Sequence, residues 1–339
     1  MVVYNYNLEY TYIIMKICII IPNWNGSTLI SNCIKSLEGQ TYKATIVVID
    51  NASTDNSIDI IEKQFKNVIL IKNSTNLGFA GGVNMGIRYA IDHDFDMVAL
   101  FNNDAEADQN WLKNLVNTIV KDEQIGITTG KLMRTDGRHF DSTGDFYTKR
   151  GIPFPRGRNT VDTGQYDKTE PVFSASGGAS LYRVAMFKDV GLFDERFFAY
   201  FEDVDISFRA QLYGWKIWYT PSAIAYHAVS ATSSTLGSFS QFHSNKNYYF
   251  LLFKNIPTKL LIKYTPSLVY QSARSFVSSI VNFRFINYLH AILVVLVHFP
   301  VVIIDRITIQ RHRRVSIEYI DSLISEKKPP VTPHIRHSL

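Results

Sequence analysis

Residues 16–26 read Lys-Ile-Cys-Ile-Ile-Ile-Pro-Asn-Trp-Asn-Gly, an apolar, largely β-branched run ended by proline and followed at once by a polar turn. A run with no polar residue on either face suits a strand buried on both sides, as in parallel sheets. Leu29, Cys33, Ile34 and Leu37 follow at helical spacing, and residues 44–50 (ATIVVID) make a second buried strand. That is a β-α-β unit. Further out, residues 55–65 read as a helix with Ile58, Ile61 and Phe65 on one face, 68–71 as a third strand, 86–91 as part of the next helix and 97–101 (MVALF) as a fourth strand. Strands alternating with helices predict a mainly parallel α/β sheet whose ligands gather beyond the carboxyl ends of the strands.

The polar residues fall where that rule wants them. Asn23 follows the first strand, Asp50 ends the second, residues 76–86 follow the third and Asn102-Asn103-Asp104 follow the fourth. Turn chemistry explains any one of these; four in succession predict a site.

The 339 residues suffice for one large core and an appendage. A composition 46% hydrophobic and 19% charged, with 22 Phe and 19 Tyr, excludes a disordered or collagen-like chain. Cys18 and Cys33 stand in no metal or disulfide spacing, so both are expected as reduced core residues. No secretory signal is evident, which places the expected catalysis in the cytosol. Residues 1–15 are taken as an N-terminal extension, with Met1 and Met15 both open as starts.

The glycine-rich segment 76–86 (NLGFAGGVNMG) is not a dinucleotide fingerprint, because the place directly after the first strand holds Pro22-Asn23-Trp24-Asn25-Gly26 instead of GxGxxG. Glycines before a helix either bring backbone close to a pyrophosphate or base or serve packing alone. Asp104, behind two asparagines, offers hard oxygen for a divalent cation, with a helix cap as the plain alternative. Residues 197–205 (FFAYFEDVD) set Glu202, Asp203 and Asp205 at the start of a helix closed by Gly214. Helix electrostatics alone favours acids there, yet an aromatic rim also desolvates a carboxylate and lifts its proton affinity towards that of a working base. Asp205 and Arg209, at i and i+4, are expected to form an ordinary pair, either at the surface or behind the site residues. Residues 135–170 lack periodicity and are expected to form a surface excursion, as a hairpin or mobile loop.

In order, IIIPNWNG, VVIDNASTDNS, NLGFAGGVNMG, LFNNDA, SGGASLYR, FFAYFEDVDISFRAQLYGW and YHAVSAT resemble the family 2 glycosyltransferases of GT-A fold, rhamnosyltransferase-like members in particular. The resemblance covers residues 16–235, taken as the catalytic domain. It implies that Pro22 and Asn25 line the nucleotide pocket, that Asp50 contacts base or ribose, and that Asp55, Asn76, Gly78, Phe79, Asn84 and Asn103 shape the donor site. Gly177 and Gly178 would border the acceptor. Asp104 matches the last acid of the family's D-x-D metal motif, whose first acid is Asn102 here. Asp203 matches the catalytic base, beside Glu202, and His227 matches a histidine that ligates metal or touches the diphosphate. The implied cofactor is Mg²⁺ or Mn²⁺. The implied reaction is inverting transfer of a sugar, with rhamnose suggested, from a nucleotide-sugar donor to a lipid-linked glycan or polysaccharide. A nucleotidyltransferase and a silent membrane-bound sugar-binding module are the competing readings.

Residues 236–339 are expected to form a helical, membrane-associating region. Residues 285–304 hold no Lys, Arg, Asp or Glu, but Asn287, His290, His298 and Pro300 interrupt the run and arginines flank both ends. That pattern fits a segment dipping into the cytoplasmic leaflet. Residues 246–263 interleave lysines with aromatics and leucines like an interfacial segment, the alternative being core helices capping the catalytic domain. No nucleic-acid motif accompanies the basic residues.

Overall fold

The computed structural model describes residues 15–228 and 237–325. The opening run forms β1 (Ile17–Asn23), followed by α1 (Ile30–Glu38), β2 (Thr45–Asp50), α2 (Ser57–Gln64), β3 (Ile69–Lys72), α3 (Gly78–Asp92) and β4 (Met97–Phe101). β1 lies between β2 and β4, and all four strands are parallel, with β3 beyond β2. The register pairs Asn23 with Asp50, so the polar ends of two strands stand side by side. Alternation along β1 feeds two cores: Cys18 and Ile20 face one side, Ile17, Ile19 and Ile21 the other. Both cysteines are buried and free.

The chain continues through β5 (Ala105–Ala107), α4 (Trp111–Ile119), β6 (Ile125–Arg134), β7 (Phe140–Ser142), β8 (Asp145–Thr148), β9 (Pro153–Pro155), β10 (Glu170–Pro171), β11 (Ala179–Arg183), α5 (Val184–Val190), α6 (Glu202–Leu212) and β12 (Lys216–His227). The main sheet runs β10-β12-β6-β11-β4-β1-β2-β3. β11 enters antiparallel between β4 and β6. This sets Gly177 and Gly178 beside the carboxyl end of β4, where the Asn102 N–H donates to the Gly178 carbonyl at 2.9 Å.

Last come α7 (Gly237–Asn255), α8 (Thr258–Val281), α9 (Phe285–Arg311), α10 (Ile317–Leu323) and β13 (Ile324–Ser325). Within residues 135–170 the hairpin alternative holds, since β8 and β9 pair antiparallel, but it is packed inward: β8 also pairs with β13, and Tyr147 and Phe154 are buried. The core ignores a cut at 235, because Tyr248, Phe250, Leu251 and Leu252 of α7 join the cluster that holds Tyr147, Phe173 and Phe208. α7 is also no interfacial segment, since Lys246 and Lys254 are only 5% and 4% exposed.

Among the described residues α9 is the one helix long and apolar enough to cross a membrane, with a mean hydropathy of 2.2 in its most apolar stretch. It is nevertheless tied lengthwise to the protein. The Tyr288 and Tyr249 hydroxyls meet at 2.9 Å, Asp305 pairs with Arg196, and Gln310 donates to the Asn255 carbonyl at 2.8 Å. Its outer face carries Ile286, Leu293, Val297 and Ile304, all well exposed.

Candidate active site

The floor of the site is built around Asn23. Its amide donates to Asp50 Oδ1 at 3.1 Å, Ser53 Oγ at 3.2 Å and Ser57 Oγ at 3.0 Å, and its oxygen accepts from Asn103 Nδ2 at 2.8 Å. Asp50 also accepts from the Ser53 N–H at 3.0 Å and is fully buried, so its carboxylate holds the loop after β2 in place. Asp55 accepts from the Ser27 N–H at 2.8 Å, and Asn25 accepts from the Thr54 N–H at 2.8 Å. The loops after β1 and β2 are thereby locked together beside the half-buried Pro22. Gly26 admits no side chain, since a Cβ there would lie 2.4 Å from both Asn23 and Asn103.

Beyond β4, Asp104 Oδ1 lies 3.0 Å from His227 Nε2, and the Asn102 amide is 3.2 Å from the same nitrogen. The other ring nitrogen, Nδ1, meets Asp141 Oδ2 at 2.9 Å, and Asp141 in turn pairs with Arg158 at 3.1 Å. Burial would depress the imidazole's proton affinity, but hydrogen bonds to Asp104 and Asp141 override it and push His227 up to about 9. A carboxylate behind one nitrogen and a hard oxygen before the other is the arrangement that orients a histidine towards a metal. Among the described residues no group of three or more His, Cys, Asp or Glu side chains encloses a metal. Asp104 and His227 offer one oxygen and one nitrogen, 3.0 Å apart, that could hold a divalent cation.

The third wall is the turn into α6. Phe198, Tyr200 and Phe201 all lie in the left-handed region, at φ of 64°, 69° and 69°. Each costs about 1–3 kcal/mol, so the surroundings must enforce the turn. Two elements do so. Gly78, at φ 69°, packs so closely that a Cβ would stand 2.4 Å from the Phe198 carbonyl, which also accepts from the Ala80 N–H at 3.2 Å. From behind, the buried Asn247 amide of α7 faces the Phe197, Ala199 and Tyr200 carbonyls at 3.1, 2.9 and 2.6 Å.

Asp203 emerges from this turn half-buried. Its Oδ2 accepts from the Gly177 N–H at 3.0 Å and its Oδ1 from the Val204 N–H at 2.8 Å. Burial raises its proton affinity above the usual carboxylate range, with those two N–H groups pulling the other way. Gly177 sits where a Cβ would meet Phe79 at 3.0 Å, so the glycine keeps backbone and ring close to the carboxylate. Glu202 is only 6% exposed, and burial together with the Asp203 charge pushes it well above the carboxylate range.

The expected residues thus converge, with one exception. Asn84 is fully buried and clamps Phe193 and Glu195, to which its amide donates at 2.9 Å each, away from the rest. Asn76 caps its own loop by accepting from the Gly78 N–H at 2.8 Å. The expected Asp205–Arg209 pair forms, inside the protein and not at its surface: the two are 0% and 5% exposed and 2.8 Å apart. Sequence reasoning passed over Asp141, Arg158 and Asp145, all in the stretch taken for an excursion. Asp145 is pushed up to about 7 by burial and by the negative charge of Asp203. The polar cluster Asp141-Ser142-Thr143-Gly144-Asp145 was the only local signal.

The family profile described as Glycosyl transferase family 2 matches residues 18–191, just over half of the chain. The chain is similar to the N-acetylglucosaminyl-diphospho-decaprenol L-rhamnosyltransferase of Mycobacterium tuberculosis, with 27% identity over an alignment of 230 residues that covers 61% of this chain and 74% of that protein. Its fold is similar to S. aureus TarS 1–349, at TM-score 0.55 and 18% identity, over 88% of this chain and 90% of that one. It is also similar to the mannosyltransferase PcManGT of Pyrobaculum calidifontis in complex with GDP-Man and Mn²⁺, at TM-score 0.51 and 15% identity, over 83% of this chain and 75% of that one. The matched profile runs through β1, β2, the glycine loop, Asn102 to Asp104 and Gly177-Gly178, which build the floor of the pocket and flank its other walls, and the chain accordingly belongs to glycosyl transferase family 2 and is a glycosyltransferase of GT-A fold.

Proposed function

We propose that the enzyme moves a sugar, with inversion, from a nucleoside diphosphate donor to a hydroxyl of a lipid-linked glycan or polysaccharide at the cytoplasmic face of a membrane. The observation that carries the reading is Asp203, a half-buried carboxylate of raised proton affinity, held by two backbone N–H groups at the mouth formed by Gly177 and Phe79. An acceptor hydroxyl is a poor nucleophile until a base takes its proton. Asp203 removes that proton as the hydroxyl oxygen attacks the anomeric carbon, and the bond from that carbon to the diphosphate breaks. With a single displacement the configuration inverts. Glu202, buried behind Asp203, supports the turn instead of meeting the acceptor. Asn25, Asn103 and the loop after β3 frame the donor, over a floor fixed by Asn23, Asp50 and Asp55. Asp104 and His227 would hold a divalent cation, which as a Lewis acid favours departure of the diphosphate.

A lipid-linked acceptor is favoured by the similar rhamnosyltransferase, named for a diphospho-decaprenol substrate. The outward apolar faces of α8 and α9 support a membrane setting. Rhamnose is the sugar we favour by the same likeness. The test offers a panel of nucleotide sugars, with lipid-linked acceptors in vesicles, to the purified full chain. One donor should raise the melting temperature and yield a nucleoside diphosphate. Release of pyrophosphate would instead mark a nucleotidyltransferase and sink the proposal.

A further inference from the structure

We propose that the crevice between α7 and α8, with the apolar pocket beside it, binds the diphosphate and first isoprenoid units of a lipid-borne acceptor; this rests on the lipid-linked reading above. The crevice is a polar groove of ≈ 280 Å³ lined by Gln241, Asn245, Gln271, Arg274, Ser275 and Ser278. Beside it the end of α8 and the start of α9 expose apolar side chains: Val277, Val281 and Ile286 are 55%, 68% and 80% exposed. Adjoining it at the α8–α9 turn is a pocket of ≈ 700 Å³ bordered by Ile280, Phe283, Phe285 and Ile286. Arg284 borders that pocket and reaches Gln241 of the groove, Oε1 to Nη1 at 3.4 Å, so the two spaces meet.

The polar lining calls for an anion. Among the described residues neither Arg274 nor Arg284 has a carboxylate partner. Asn245 Nδ2 is buried with nothing to donate to, and Gln271, itself 8% exposed, reaches only Ser275 Oγ at 3.2 Å. Two guanidiniums without a carboxylate partner, Arg284 donating only at 3.4 Å to the Gly237 carbonyl and to Gln241, stand with an orphan amide donor and are matched by phosphate oxygens, which accept and carry charge. An unpaired arginine amid exposed aliphatics is also costly at a membrane unless an anion meets it at headgroup depth. The apolar pocket next door takes a hydrocarbon tail. A molecule satisfying both is an amphiphile with a phosphate head.

The position suits an acceptor. Phe239, two residues before Gln241 on α7, sets its ring 5.9 Å from Phe198 and 6.5 Å from Tyr200, in the turn that delivers Asp203. Gln241 and Asn245 of the groove thus share one helix with the ring that touches that turn.

The experiment floats the full chain and the double variant Arg274→Gln/Arg284→Gln with three vesicle types: phosphatidylcholine alone, the same with phosphatidylglycerol, and the same with polyprenyl diphosphate. Folding of the variant is checked by melting temperature, and donor binding by the shift with a nucleoside diphosphate. Wild type should favour the polyprenyl diphosphate vesicles, and each lost arginine should weaken that preference about fivefold. The KM for a lipid-linked acceptor should rise by the same factor, with donor binding unchanged. An equal loss on phosphatidylglycerol vesicles would reassign the groove to bulk anionic phospholipid and overturn the acceptor claim. No loss on any vesicle would also overturn it. If wild type binds polyprenyl diphosphate through these arginines yet transfers sugar to no lipid-linked acceptor, the groove stands and the functional reading fails.

Discussion

Lys254 of α7 holds its ammonium 3.0 Å from the carboxylate of Asp205, a residue of the catalytic helix with no solvent exposure at all. Asn255 adds a hydrogen bond to the other oxygen at 2.8 Å, and Arg209 closes the third side. Burial opposes the charge on Asp205, but Lys254 and Arg209 hold it ionised, below the usual carboxylate range. Lys254→Met keeps most of the side-chain volume and leaves the buried acid with one cation, Arg209, in place of two. Loss of one partner from a buried pair costs about 3–5 kcal/mol, so urea midpoints should fall accordingly. A chain cut at 235 should lose more, failing to give a soluble active enzyme. Full activity in that truncated chain would contradict the shared core.

Asp203→Asn keeps the size of the side chain and removes the proton acceptor. Turnover should drop about 10²–10⁴-fold while the melting-temperature shift with nucleoside diphosphate persists. Glu202→Gln resembles the neutral form that burial and the Asp203 charge favour, so its effect should be much smaller. The reverse ranking would move the base by one residue.

Asn247 touches no reacting group in this scheme, yet one amide steadies three carbonyls of a turn with three strained residues. Asn247→Ala should lower kcat more than it raises donor KM, because Asp203 loses its aim while the donor floor is untouched. Equal losses in stability and kcat, restored together by a stabilising osmolyte, would point to a purely structural role.

Asp145 should leave a mark on stability. Its carboxyl titrates at about 7 in the fold against an ordinary 3.8, so the folded state binds the proton more tightly than the unfolded chain. Stability from this group is therefore present at low pH and declines as pH rises between about 4 and 7. In Asp145→Asn that decline should vanish, and the variant's melting temperature should gain on wild type towards neutrality. Parallel profiles for the two proteins would refute the shift.

Asp141 orients His227 from behind the proposed metal position. Asp141→Asn should weaken Mn²⁺ dependence about 10–100-fold, read as the metal concentration for half-maximal transfer. Excess chelator should silence the wild type. Unchanged metal dependence would leave His227 with a structural task.

The parallel sheet was legible because continuous apolar runs and helical spacing are local signals: the four expected strands match β1 to β4 to within a residue or two. Asn23, Asp104 and Asp203 were legible for the same reason, each ending a strand or opening a helix. Asp141 and Asp145 were not, because short strands paired at long range lack periodicity, and β8 is flanked by β13 from nearly 180 residues downstream. Lys246 and Lys254 misled in the opposite sense. Lysines among aromatics look like a solvated or interfacial face, and only the carbonyls of the strained turn and the buried Asp205 explain why they are inside.

The pairing of β13 with β8 also bears on when this enzyme comes into being. The first four strands can close as soon as they leave the ribosome, since their contacts are nearly sequential. The strand bearing Asp145 gains its last neighbour only with Ile324, and the turn bearing Asp203 must await Asn247. A nascent chain can thus close the loops around Asn23 and Asp50 well before it braces the turn that carries Asp203, and a chain interrupted before α7 lacks that brace.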